Sequence, residues 1–242
     1  MLIPSFLKVM FMLTTTNIGL LRLLQLSNST LPVGAYAFSQ GLESAVDRGW
    51  VKSSGDLHEW IKSQLQSSMT EVDVPLLIRQ IKSVSDSDLD KIRYWNHYLL
   101  ACRETKELRL GELEMGKAIA RLLGALDVSF LMSKDSDFTF LTGFAVASVA
   151  WKLDSKVAAT GYIWAWLESQ VSVATKIFPL GQNCAQGLLS ELITHVPTVI
   201  EKAHGIKDRE IGCSLPALAI ASSWHEDQYS RLFRSHRSKH EE

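Results

Sequence analysis

Two adjoining stretches decide the fold: Phe138 to Lys152, FTFLTGFAVASVAWK, and Val157 to Phe178, VAATGYIWAWLESQVSVATKIF, with Leu153-Asp154-Ser155 between them. Both are too long for strands, and neither alternates apolar and polar residues with a period of two. Asp154 or Ser155 can cap the second stretch, so the pair reads as two buried helices. Gly143 and Gly161 allow close helix packing, and Trp151, Trp164 and Trp166 read as core aromatics rather than a cofactor box. The first stretch falls short of the ~20 apolar residues that cross a bilayer.

The same periodicity extends outward in both directions. Leu20 to Leu26 (LLRLLQL) reads as a short helix ending at Ser27-Asn28-Ser29-Thr30. Phe38, Leu42, Ala45 and Val46 share a helical face, with Gln40, Glu43 and Asp47 largely opposite, and Gly41 interrupts that run. Ser54 is a cap candidate for a helix through Leu57, Ile61, Leu65 and Met69. Asp73 and Pro75 mark an interruption before a helix over 74–84. Residues 83–90 read as a loop in which Asp86 or Asp88 caps the next helix.

From Leu89 to Leu126 the pattern is helical for most of its length, with Gly111 and Gly116 suited to close helix contacts. Pro179-Leu180-Gly181-Gln182 breaks the pattern. Helical spacing then resumes through Leu188, Leu189, Leu192 and Ile193, and a shorter helix runs to Gly205. No strand pattern, hairpin turn or repeat is visible. The expectation is an all-α fold: a single globular domain of about ten helices over 20–235, a partly disordered extension at 1–19 and a charged flexible tail at 236–242.

Of the 242 residues, 46% are apolar and 21% charged, and the net charge is -1. That balance excludes global disorder and gives no general reason to expect nucleic acid or anionic membrane as a partner. Cys102, Cys184 and Cys213 form no C-x-x-C pair, which favours a reducing compartment and small buried thiols. The apolar start, Met1 to Leu13, lacks the basic beginning and cleavage site of a signal peptide. A cytoplasmic location is expected.

Motifs that carry chemistry are incomplete or absent in the sequence. His225-Glu226 opens an H-E-x-x-H pattern, but Tyr229 stands where the second histidine should be. There is no phosphate-binding loop, nucleophile elbow or dinucleotide fingerprint. Catalytic and stable metal or cofactor sites are therefore not expected. What stands out is Tyr229 to Arg234, where Tyr229 and Phe233 lie one helical turn apart and Arg231 and Arg234 three residues apart. Aromatic and arginine side chains of this kind anchor protein interfaces. An apolar small-molecule pocket lined by Tyr162, Trp164 and Trp166 is the alternative from another class.

Four ordered segments together resemble the urease accessory protein F (UreF) family. They are Pro32-Val33-Gly34-x-Tyr36-x-x-Ser39-x-Gly41-Leu42-Glu43, Glu104 to Arg109 with Met115-Gly116 beyond it, Pro179 to Gln182, and His225 to Ser235. The chain departs from the family's usual residues at Ala37, Phe38, Gly187 and Ala219.

The resemblance implies a non-enzymatic helical homodimer, an adaptor between the GTPase UreG, the protein UreD (also called UreH) and apo-urease. It implies that nickel is handled transiently by the complex and that GTP is bound by UreG. The alternative within this reading is a strict GTPase-activating regulator with Arg231 or Arg234 as an arginine finger. Candidate contact residues are Pro32, Gly34, Tyr36, Ser39, Gln40 and Glu43; Glu104 and Arg109; Pro179, Gly181 and Gln182; and His225, Glu226, Tyr229, Arg231, Phe233 and Arg234.

Overall fold

The computed structural model describes residues 17–34, 38–128, 130, 137–229 and 231–233. Tyr36 and Arg234, most of the 1–19 extension and the 236–242 tail lie outside the described residues. Within them the chain is all-α, with no strand.

In chain order the α-helices are α1 (Asn17–Leu26), α2 (Leu42–Asp47), α3 (Ser54–Gln64), α4 (Val74–Ser85), α5 (Leu89–Cys102), α6 (Lys106–Ala125), α7 (Phe140–Ala150), α8 (Ser155–Ile177), α9 (Gln182–Ile193), α10 (Val196–Gly205) and α11 (Pro216–Glu226). One hydrophobic core draws buried residues from every one of them.

The centre is α7, buried without interruption from Phe140 to Ser148 and packed chiefly on α6 and α4. The approach to α6 is made at Gly116, where a Cβ would stand 1.9 Å from the Phe138 carbonyl oxygen. A polar cluster fixes the start of α7. The Asn96 side-chain oxygen accepts from Thr139 N, Thr139 Oγ1 and Thr142 Oγ1, so these buried groups are paired as burial demands. Asp154 caps α8, as the sequence suggested, and Asp88 caps α5.

Several expectations are corrected. Gly41 does not interrupt a helix: it is the N-cap of α2, in the left-handed region at φ 80°, so the helix begins at Leu42 rather than near Phe38. Ser53, not Ser54, caps α3, through a reciprocal pair of hydrogen bonds with Asp56. Asp73 and Pro75 do not interrupt the chain. A π-helical segment, Leu65–Asp73, carries α3 directly into α4. Its wider turn accommodates Pro75, which has no N–H to give.

The long helical run breaks at Arg103 to Thr105, where Thr105 caps α6. At the other end α11 stops at Glu226, so residues 231–233 are not helical and Tyr229 and Phe233 do not share a helix face.

Candidate functional site

Three of the four sequence segments meet at one buried histidine. His225, in the last turn of α11, is fully buried between two carboxylates. Its Nδ1 lies 2.7 and 2.8 Å from the Glu107 oxygens, and its Nε2 lies 2.9 Å from Glu43 Oε2. A carboxylate oxygen facing each ring nitrogen favours the doubly protonated imidazolium, in which both nitrogens donate. Burial pushes its pKa down, but the hydrogen bonds to Glu107 and Glu43 outweigh burial and the pKa is raised.

Each member is set by its own backbone. Gly41 brings α2 against α11 so closely that a Cβ there would lie 3.1 Å from Ser222 N and 3.3 Å from Ala221 Cβ. Glu43 follows in the first turn of α2. Thr105, capping α6 through Leu108 N, also bonds Ser222 Oγ at 2.8 Å. Glu107 N in turn donates to Glu226 Oε1 at 2.9 Å. Two acids therefore sit at the positive end of α6, where they are favoured.

Glu43 does more than hold the histidine. Its oxygens also accept from Leu232 N at 2.7 Å and Phe233 N at 3.2 Å. This latch seats Phe233 in the core, with Lys176 of α8 5.7 Å from its ring centre.

Beneath the latch lies a cavity of about 300 Å³, lined by apolar side chains such as Leu31, Phe38 and Met115. A second ionic cluster forms part of its wall. Arg103 Nη2 reaches Asp73 Oδ1 at 2.5 Å and Glu112 Oε2 at 3.0 Å. Ser68 donates to Asp73, and Leu141 N to Glu112. Burial would lower the Arg103 pKa, but Asp73 and Glu112 hold it well above its ordinary value. Burial, with Asp73 beside it, pushes the Tyr162 phenol well up. Each cluster sets two carboxylates against one cation. Among the described residues no group of three or more His, Cys, Asp or Glu side chains is arranged to hold a metal ion.

The predicted contact residues divide into buried and exposed groups. Ser39, Glu43, His225 and Phe233 are buried within this chain, where the sequence reading expected a contact face. Glu43 points inward because short α2 is covered around most of its circumference. Gln40, half-buried at φ 50°, accepts from Trp166 Nε1 and Gln170 Nε2.

Pro32, Glu104, Arg109, Pro179, Gly181, Gln182 and Tyr229 are exposed, and Gly34, Glu226 and Arg231 are half-buried. Ser214 donates to Glu104, Arg109 Nε to the Arg103 carbonyl, and Arg231 Nε to the Gln228 carbonyl. Tyr162 and Trp166 line the cavity, whereas Trp164 faces a separate groove. The three-aromatic pocket is therefore not formed.

Sequence reasoning missed Glu107, Asp73, Arg103 and Glu112. Their signal was weak: three are acids on helical segments that also carry solvent-facing charges, and Arg103 follows the end of α5, where a basic residue is ordinary.

Around the latch, Trp50 and Trp224 pack with ring centres 4.9 Å apart, and the Arg48 guanidinium lies 4.9 Å over Trp224. Tyr229, Leu232 and Ile220 add exposed apolar surface nearby in the chain.

The class that fold and site define is an all-helical protein whose last helix is fastened to two others through a buried histidine between two carboxylates. The chain belongs to the UreF family: that family's model matches residues 51–193. Relatives called "Urease accessory protein UreF" match nearly end to end. One from Marinomonas sp. (strain MWYL1) is 46% identical over 92% of this chain and 97% of its own length. One from Alkalilimnicola ehrlichii is 43% identical over 93% and 100%. One from Teredinibacter turnerae is 44% identical over 90% and 100%. No described helix is long and apolar enough to cross a membrane.

Proposed function

We propose that this chain is a cytoplasmic, non-enzymatic adaptor in urease maturation. It links the GTPase UreG and UreD/UreH to apo-urease and couples GTP hydrolysis to nickel delivery. In this reading it works as a homodimer, GTP stays on UreG, and nickel passes without being held. Family membership supports the maturation role. The observation that carries the adaptor reading is the surface around the latch: Trp50, Trp224, Arg48 and Tyr229 have the aromatic and arginine composition of interface anchors, and Leu232 adds exposed apolar area.

Truncation before Trp224 would remove His225 and leave Glu43 and Glu107 without their cation, so point variants are the sharper test. Tyr229→Ala and Leu232→Asp are expected to weaken capture of a UreD-type partner and to lower urease activation at least tenfold, with melting temperature nearly unchanged. Full capture by both variants would sink the assignment of this surface. The GTP hydrolysis of UreG, measured with and without the chain, tests the coupling.

A further inference from the structure

Between α10 and α11 the chain runs as a strap over residues 206–215. Arg79 ties its start, with Nε on Asp208 Oδ1 at 3.0 Å and Nη2 on the Ile206 carbonyl at 2.5 Å. Further along, Tyr98 OH donates to the Ile211 carbonyl at 2.8 Å, and Gly212 N donates to the Glu71 carbonyl at 3.1 Å. Ser214 Oγ then reaches Glu104 Oε1 at 2.8 Å. The strap therefore advances in the same direction as α5 and the residues after it.

The register of that contact brings two cysteines to the same part of the cavity wall. Four residues along a helix advance about 6 Å. Two residues of extended chain advance about 6.5 Å. Starting from the Tyr98–Ile211 contact, those steps arrive at Cys102 on the helix and Cys213 on the strap. Both are half-buried free thiols lining the same cavity, and Cys213 lies within electrostatic reach of Cys102. The remaining cysteine, Cys184, is exposed on α9.

We propose that Cys102 and Cys213 are a redox pair that closes to an intrachain disulfide and fastens the strap to the end of α5. The oxidant is a two-electron peroxide. One thiolate attacks a peroxide oxygen, giving a sulfenic acid and water. The second thiol displaces water from that sulfenic acid, forming the S–S bond. In sum two thiols lose two electrons and two protons while hydrogen peroxide becomes two waters. The bond would fix one wall of the cavity beside Arg103. Burial pushes the Cys213 thiol up to about 11, so its thiolate is scarce near neutral pH and closure speeds up as pH rises.

The test uses the full chain carrying Cys184→Ser, which removes the exposed thiol. It is treated with hydrogen peroxide at mildly alkaline pH for as long as the unsubstituted chain needs to oxidise Cys184 completely. The expected result is loss of both thiols, a linked Cys102–Cys213 peptide two hydrogens lighter, and at least tenfold slower amide exchange over 206–215. Adding Cys102→Ser or Cys213→Ser should abolish the linked peptide. Both thiols remaining free in the folded chain, or oxidising separately to sulfinic acids, would overturn the proposal.

Discussion

At the scale of single residues, His225 is the point on which the latch depends. His225→Gln leaves Glu43 and Glu107 buried without a cation, and removing one partner of such a group costs about 3–5 kcal/mol. Denaturant titration against the unsubstituted chain should show a loss of that size. The pH dependence has a definite sign. The folded pKa of His225 is raised above the ordinary 6.5, so its stabilisation is complete below that value and is lost as pH rises through the folded pKa. Stability should fall on the alkaline side of pH 6.5, and that slope should flatten in His225→Gln.

Arg103→Met isolates Asp73 and Glu112 in the same way and should also cost about 3–5 kcal/mol. Thiol labelling reads a different residue property. Iodoacetamide should modify exposed Cys184 well before Cys213, whose burial keeps thiolate scarce until the pH nears 11. Equal labelling rates in the folded chain would contradict that burial.

At the scale of elements, helix contacts turn on which glycines are needed. Gly116→Ala drives a methyl group into the Phe138 carbonyl, and overpacking of this kind costs about 1–3 kcal/mol. Gly124→Ala on the same helix meets nothing within 4 Å and should instead stabilise by roughly 0.5–1 kcal/mol. Paired thermal melts would separate the two.

Most elements were legible in the sequence because their signals are local: a 3.6-residue apolar period, a capping acid at Asp88 or Asp154, a proline at a boundary. Gly41 was misread because an N-cap in the left-handed region and a mid-helix glycine look alike until the neighbouring helix is seen. The π segment was invisible for a related reason. Nine residues of slightly wider turn shift the apolar face without removing any apolar residue, and Asp73 and Pro75 then imitate a break.

At the scale of the whole molecule, the all-α class and the family resemblance were readable from four ordered segments. Their meeting place was not. Glu43 and His225 are 182 residues apart in the chain, and no local pattern tells a buried acid from a solvated one on a short helix. The charged run 104–109 reads as surface, yet Glu107 turns inward while Glu104 and Arg109 stay exposed.

That separation has a consequence for the order in which the molecule is made. A chain synthesised at about 5–20 residues per second leaves Glu43 waiting roughly 9–36 s for its histidine. Until then Glu43 and Glu107 lack the imidazole that bridges them, and α2 lacks α11, the helix it packs on most. Glu43 bonds both His225 and the amides of Leu232 and Phe233, so the last helix and the segment after it share one anchor. The fold thus seals at its C-terminal end, and a chain interrupted before α11 is left with its two carboxylates unmatched.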